Sequence, residues 1–165
     1  MKWLAVVGSR YVTPEMRRDI KRYVTQKVAD GYGIVSGGGT GTDTYAVRMA
    51  LEAGIDISRV KLFLPGSVEK YSDELRRRAL EGKCKSDDAE ETIRQLHSLA
   101  SNTLDILFYS GDIETIDARA FHARNRRIVS CADELVAFRL GQSRGTTYSI
   151  ERARQKGISV RVFEY

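Results

Sequence analysis

The sequence predicts an α/β domain on an open parallel sheet of about five strands, with helices on both faces. Three observations carry this. Residues 1–66 alternate short apolar runs with runs at helical spacing, the order strand, helix, strand, helix, strand. Alternation of this kind means a parallel sheet with crossover helices. The apolar runs are continuous rather than alternating, as strands buried on both faces read. From Ile113 onward the same pattern resumes.

Trp3 to Val7 is the first strand, closed by Gly8-Ser9-Arg10. Thr13 caps the next helix and Pro14 takes its first position. Met16, Ile20, Tyr23, Val24 and Val28 give that helix one apolar face, and Gly31 stops it. Gly33-Ile34-Val35-Ser36 is a second strand that runs into a glycine-rich loop. A helix follows, with Ala46, Met49, Ala50 and Ala53 on one face and Gly54 as its stop. Val60 to Leu64 is the third strand, closed by Pro65-Gly66.

From about 67 to 112 the chain reads as a helical segment. Lys70 to Leu80 is helical and basic. Asp87 to Leu99 is a second helix with Ile93, Leu96, Leu99 and Ala100 as its stripe. Leu104 to Tyr109 fits a strand or the end of that helix, and periodicity does not decide between them. Thr115 to Ser130 is a helix bearing Arg119, Arg124, Arg126 and Arg127. Asp133 to Phe138 is a strand, Gln142 to Thr147 a polar turn, Tyr148 to Lys156 a helix stopped by Gly157, and Ser159 to Phe163 the last strand. The expected strand order is third, second, first, fourth, fifth.

The length of 165 residues suits one domain spanning 1–165. With 42% hydrophobic and 30% charged residues, the composition is that of a soluble globular protein. The net charge of +5 suits phosphate-bearing partners. Cys84 and Cys131 form no CxxC pair and have no histidine cluster beside them, so neither a metal site nor a disulfide is expected. The first apolar run is too short for a signal peptide, and no stretch approaches the roughly 20 apolar residues of a membrane span. A cytoplasmic protein without membrane contact is the expectation.

In open parallel sheets, ligands sit beyond the carboxyl ends of strands where the strand order reverses. Three polar loops lie at such ends: Gly8-Ser9-Arg10, Ser36 to Asp43, and Gly141 to Thr147. The middle one, Ser36-Gly37-Gly38-Gly39-Thr40-Gly41-Thr42-Asp43, has the chemistry for phosphate. Its glycines let backbone approach an anion, Ser36, Thr40 and Thr42 offer hydroxyls, and the following helix is expected to present unpaired N–H groups. It is neither a Walker A loop nor a regular G-x-G-x-x-G after the first strand. Arg124 and Arg126, with Asn125 between them, add guanidinium and amide donors for phosphate. Catalytic signals are thin: no Ser/His/Asp order stands out, and Asp43 and Glu151 are the candidate carboxylates near the expected ligand. Asp43 equally suits a helix-capping role, Glu151 a solvated one.

These residues resemble a known family. Val7-Gly8-Ser9-Arg10, Val35 to Asp43 and Arg124-Asn125-Arg126-Arg127-Ile128 are similar to the G-S-R, S-G-x-A-x-G-I-D and R-N-R-x-I segments of DprA/Smf, the DNA-processing protein. Arg144-Gly145-Thr146-Thr147 stands where that family has a Gly-Ser/Thr turn, and Tyr71 where it often has a tyrosine. The resemblance runs through nearly the whole chain and is sparse between Ser72 and Ala118. It implies a Rossmann-like fold, single-stranded DNA as partner, and a homodimer. As binding surface it implies Arg10, the Ser36–Asp43 loop, Arg124 and Arg126. Tyr11, Tyr45, Tyr71 and Phe121 are candidate stacking platforms for bases.

The framework is also similar to the LOG phosphoribohydrolases, which release a base from a nucleoside monophosphate. Gly37-Gly38-Gly39, Arg124 and Gly145-Thr146 fit that family, which places both resemblances in one LOG-related (SLOG) superfamily. The carboxylate expected two residues after the threonine is Tyr148 here, and glycosyl chemistry needs a carboxylate at the sugar. Glu151, one helical turn on, is the substitute if the chain is an N-glycosidic hydrolase or transferase. The reading that results is a binding domain for a nucleotide or single-stranded DNA. It has no cofactor beyond a nucleotide or phosphate ligand, and no metal.

Overall fold

The computed structural model describes residues 1–103, 105–109 and 114–165. Six parallel strands form one open sheet: β1 (Trp3–Gly8), β2 (Gly33–Ser36), β3 (Val60–Phe63), β4 (Leu107–Phe108), β5 (Glu134–Arg139) and β6 (Ser159–Glu164). Their order is β4-β3-β2-β1-β5-β6. The five expected strands keep their relative order. The correction is β4, a two-residue edge strand pairing Leu62 with Leu107 and Phe63 with Phe108. Two residues are too few to show a period, so the sequence left this stretch open. Leu104, the start of the expected run, and 110–112, the end of the expected helical segment, lie outside the described residues.

The helices are α1 (Pro14–Ala29), α2 (Thr42–Glu52), α3 (Val68–Leu80), α4 (Ser86–Asn102), α5 (Ala118–Cys131) and α6 (Arg144–Lys156). Side chains alternate across each strand, so one strand feeds two cores. Leu4 and Val6 of β1, and Val136 and Phe138 of β5, pack with the apolar stripes of α1 to α4. Ala5, Val7, Leu135 and Ala137 point the other way, against Ile128 and Val129 of α5 and Ile150 and Ala153 of α6. All eight are buried, which explains why the strands read as unbroken apolar runs.

Helix ends follow local chemistry. Thr13 caps α1, its hydroxyl accepting the Met16 N–H at 3.2 Å. Asp117 caps α5 in the same way, through the Ala120 N–H at 3.0 Å. This moves the start of α5 past the expected Thr115. The larger shift is in α6, which begins at Arg144 and not at Tyr148. Arg144 to Thr147 are therefore its first turn rather than a loop.

The chain steps outward from β1 through β2 and β3 to β4, then returns to place β5 on the other side of β1. The order reverses between β1 and β5, which pair from Leu4–Glu134 to Gly8–Phe138. The crevice beyond Gly8 and Arg139 is the switch point.

Candidate nucleic-acid interface

A cavity of about 570 Å³ opens at the switch point. That volume is within the range of small-molecule sites, ~300–1,000 Å³. Ser9 builds its floor by stitching three elements together. Its N–H donates to the Phe138 carbonyl at 3.0 Å, and its own carbonyl accepts the Thr42 N–H at 3.1 Å. The Thr42 hydroxyl donates to the same carbonyl at 2.9 Å. The Ser9 hydroxyl accepts the Leu140 N–H at 2.8 Å. The ends of β1 and β5 and the start of α2 are thereby fixed relative to one another.

The structure brings most of the expected residues together. Gly8, Ser9, Arg10, Gly39, Thr40, Asp43, Arg124, Asn125, Arg144, Gly145 and Thr146 line this one cavity. Others lie elsewhere. Ser36 is buried and donates to the Val6 carbonyl at 3.0 Å. Gly37 is covered by Arg124, whose Nη1 lies 2.0 Å from the place a Gly37 Cβ would take. Gly38, at φ +62°, faces Leu64 and Leu96. Gly41 lies against the Arg10 backbone. Thr42 is spent on Ser9. Arg126 is exposed and is not part of the lining. Thr147 accepts from Arg139 at 3.0 Å. Glu151 is exposed, and neither it nor Tyr148 is part of the cavity lining. Tyr148 stacks on His122, with ring centroids 4.7 Å apart.

Beneath the glycine loop a half-buried arginine, Arg124, lies near the buried carboxylate of Asp43. Arg124 donates to the Gly37 carbonyl at 2.5 Å. The Asp43 carboxylate accepts the Gly39 N–H at 3.1 Å. Burial pushes the Asp43 carboxyl above its ordinary range; Arg124 and the loop N–H groups of Gly39 and Gly37 pull part of the way back. Burial likewise pushes the Tyr71 phenol up, with Arg124 opposing and Asp43 adding to the rise. Phe121 closes this corner, its ring edge-on to Tyr71 at 6.3 Å and the Arg78 guanidinium 4.3 Å from its centroid.

The loop is less open than its sequence predicts. Two of the first three N–H groups of α2 are already used: Thr42 on Ser9, and Thr44 on the Gly39 carbonyl at 3.2 Å. The expectation of unpaired donors at this helix end is corrected accordingly. The glycines are used for close chain packing, with carbonyls and side chains of the protein itself taking the donors.

Sequence reasoning missed Arg78 and Lys83, which reach the cavity rim from the end of α3 and the turn after it. Their signal was the basic run Arg76-Arg77-Arg78. Nothing local showed that the α3–α4 hairpin folds back to the switch point. The rim is strongly cationic. Among the described residues, Arg10, Arg78, Lys83, Arg124 and Arg144 line the cavity against a single carboxylate, Asp43. Of the expected stacking residues, Tyr11 is exposed at the rim, and Tyr71 and Phe121 belong to the packed corner. Tyr45 lines a separate small hollow with Arg17 and Arg48. Among the described residues, no three His, Cys, Asp or Glu side chains gather as a metal set. No described helix is long and apolar enough to cross a membrane.

Residues 1–77 match the family model of DNA recombination-mediator protein A. The fold matches DNA processing protein A (DprA) from Streptococcus pneumoniae with a TM-score of 0.71. The family match covers a little under half of the chain, and the structural match shows a shared fold. Sequence identity to the pneumococcal protein is 21%, over 98% of this chain and 50% of that one. DprA from Helicobacter pylori, described for its unique single-stranded DNA binding mode, matches with a TM-score of 0.68 and 18% identity. That match covers 98% of this chain and 64% of the Helicobacter protein. This chain thus spans half the length of one of these proteins and under two-thirds of the other. A comparison with curated proteins found no match.

Proposed function

We propose that this DprA-like chain binds single-stranded DNA, or a nucleotide unit of it, by holding phosphate in the switch-point cavity. One observation carries the reading: three strand-end loops, far apart in sequence, converge on one cavity whose described lining has five cationic side chains and one carboxylate. That lining selects for an anion. Its partly apolar wall at Tyr11, Leu75 and Phe121 suits a base or sugar beside the phosphate. The single-stranded DNA described for the Helicobacter relative supports the choice of partner. A homodimer, implied by the resemblance, belongs to the same proposal.

The N-glycosidic hydrolase alternative gains no support from the geometry. Glu151 lies outside the cavity lining, and Asp43 is held by the loop and by Arg124.

The test is fluorescence anisotropy with a labelled oligo(dT) at several salt concentrations. Affinity should fall steeply as salt rises, because bound phosphates release counterions. Arg10→Ala should weaken binding and make the salt slope shallower. Salt-independent binding, or wild-type affinity in Arg10→Ala, would count against the reading.

A further inference from the structure

Resting on that reading, we infer that single-stranded DNA leaves the switch-point cavity along the face formed by α5 and α6, with one base stacked on the His122–Tyr148 pair and the phosphates beyond it held by Arg126 and Arg152. His122 of α5 and Tyr148 of α6 lie nearly parallel, with 8° between ring planes and 4.7 Å between centroids. His122 is exposed and lines the cavity; Tyr148 is half-buried and lies outside the lining. The two rings therefore make a step at the lip, one ring in the cavity and one beyond it. A stacked pair offers a flat π surface to a third ring, and stacking on such a surface tolerates any base.

The cations beside this step point the same way. Residues four apart lie on one helix face. Arg126 therefore stands one turn beyond His122 on α5, and Arg144 and Arg152 stand one turn before and one turn after Tyr148 on α6. Both helices begin at the carboxyl end of the sheet, so Arg126 and Arg152 lie on the side leading away from the cavity; neither is part of its lining. Both are exposed, and neither forms an ion pair with a described residue; Arg152 reaches only the neutral Gln155 amide, at 3.3 Å. α5 has four arginines and no acidic residue, and α6 has three arginines and a lysine against one carboxylate, Glu151. Such a face attracts a polyanion.

Other basic and aromatic groups are already engaged. The run Arg76-Arg77-Arg78 on α3 is neutralised by Glu74, Glu81 and Glu90. Tyr71 is 2% exposed. The Phe121 ring has the guanidinium groups of Arg78 and Arg124 against it, and the Tyr45 ring those of Arg17 and Arg48. The α5–α6 face instead alternates rings with uncommitted guanidinium groups, as a single strand alternates bases with phosphates. A duplex, whose bases are stacked on one another, has no free base for the step.

The experiment photocrosslinks the protein to a dT dodecamer carrying 5-iododeoxyuridine at a central position, and maps the linked residues by mass spectrometry. Crosslinks should fall on His122 and Tyr148. Anisotropy with a labelled dT dodecamer should show His122→Ala weakening affinity roughly tenfold, the worth of one lost base stack. His122→Phe, which keeps a flat ring, should restore it, as a loss of charge or hydrogen bonding would not. Arg126→Ala combined with Arg152→Ala should make the salt slope shallower by about 1.4, some 0.7 for each phosphate contact removed. These side chains are exposed, so their removal leaves the core intact. Crosslinks confined to Tyr11 or Phe121, with the salt slope unchanged in the double arginine variant, would overturn the inference and leave binding in the cavity standing. No binding of the dodecamer by wild type would overturn both.

Discussion

The Arg124 guanidinium donates to the Gly37 carbonyl at 2.5 Å, which ties α5 to the loop that follows β2. An arginine that sequence assigns to a phosphate is thus first a strut. Asp43 beneath it completes the tie, accepting the Gly39 N–H. Loop, strut and carboxylate form one unit, and removing a member affects shape before it affects ligand.

Arg124→Ala should therefore destabilise the fold as well as weaken ligand binding. It strands the Gly37 carbonyl and leaves the Asp43 charge buried without its counterion. The expected cost is about 1–3 kcal/mol, or roughly 2–4 °C in Tm per kcal/mol for a chain of this size. Urea denaturation without ligand measures it. An unchanged midpoint would mean that the strut carries no load.

Asp43 gives a pH signature of known sign. Its folded pKa is raised, by burial first and despite Arg124. A raised carboxyl contributes stability that is fully present below its unfolded value, about 3.9, and is lost as pH rises through the folded value. Stability of wild type relative to Asp43→Asn should then fall as pH rises from about 4 through the folded pKa, and level off above it. Paired denaturation curves across that range read the difference; a relative stability that climbs with pH would contradict the burial argument.

Glu134 should behave in the opposite way. It bridges β5 to α1 and the turn after it: Lys27 Nζ reaches Oε2 at 2.5 Å, and the Tyr32 hydroxyl reaches Oε1 at 2.5 Å. Burial pushes its carboxyl up, but the Lys27 and Tyr32 hydrogen bonds and the Lys27 charge outweigh that and hold it below the ordinary value. A lowered carboxyl contributes stability present above the unfolded pKa and lost as pH falls through the folded one. Glu134→Gln should cost about 1–3 kcal/mol at neutral pH and flatten the acid limb of the stability profile. Because the bridge is remote from the cavity lining, oligonucleotide affinity at neutral pH should not change.

The sequence revealed what depends on neighbours along the chain, and hid what depends on neighbours in space. Leu4 to Val7 could be read as a doubly buried strand because both faces are apolar. Thr13 and Pro14 marked a helix start because capping is local. Ser36 to Asp43 was recognisable as a special loop, yet its glycines gave no hint that Arg124, 87 positions away from Gly37, would fill the space above them. Arg144 to Thr147 looked like a turn because glycine and threonine are weak helix formers. Packing of Ile150 and Ala153 against β5 extends the helix over them regardless. β4 and the rim cations Arg78 and Lys83 were illegible for the same reason: only the return of the α3–α4 hairpin to the sheet gives them a role.

Gly41 offers the sharpest test of how closely the loop must fit. Its φ is +77°, a conformation that side-chain-bearing residues rarely adopt. A Cβ there would lie 2.2 Å from the Arg10 carbonyl oxygen and 2.7 Å from that of Ser9. Backbone on both sides cannot yield as a flexible side chain would. The Ser9 carbonyl is also the acceptor for both donors of Thr42, so pushing it away breaks the stitch that registers β1 with α2. Gly41→Ala should cost more than the roughly 1–2 kcal/mol of left-handed strain alone, and more than Gly31→Ala. The latter glycine shares the positive φ but has nothing within 4 Å of its absent Cβ. The difference between the two variants in urea isolates the contact from the strain. Equal losses would show that the Arg10–Gly41 approach is looser than a Cβ requires.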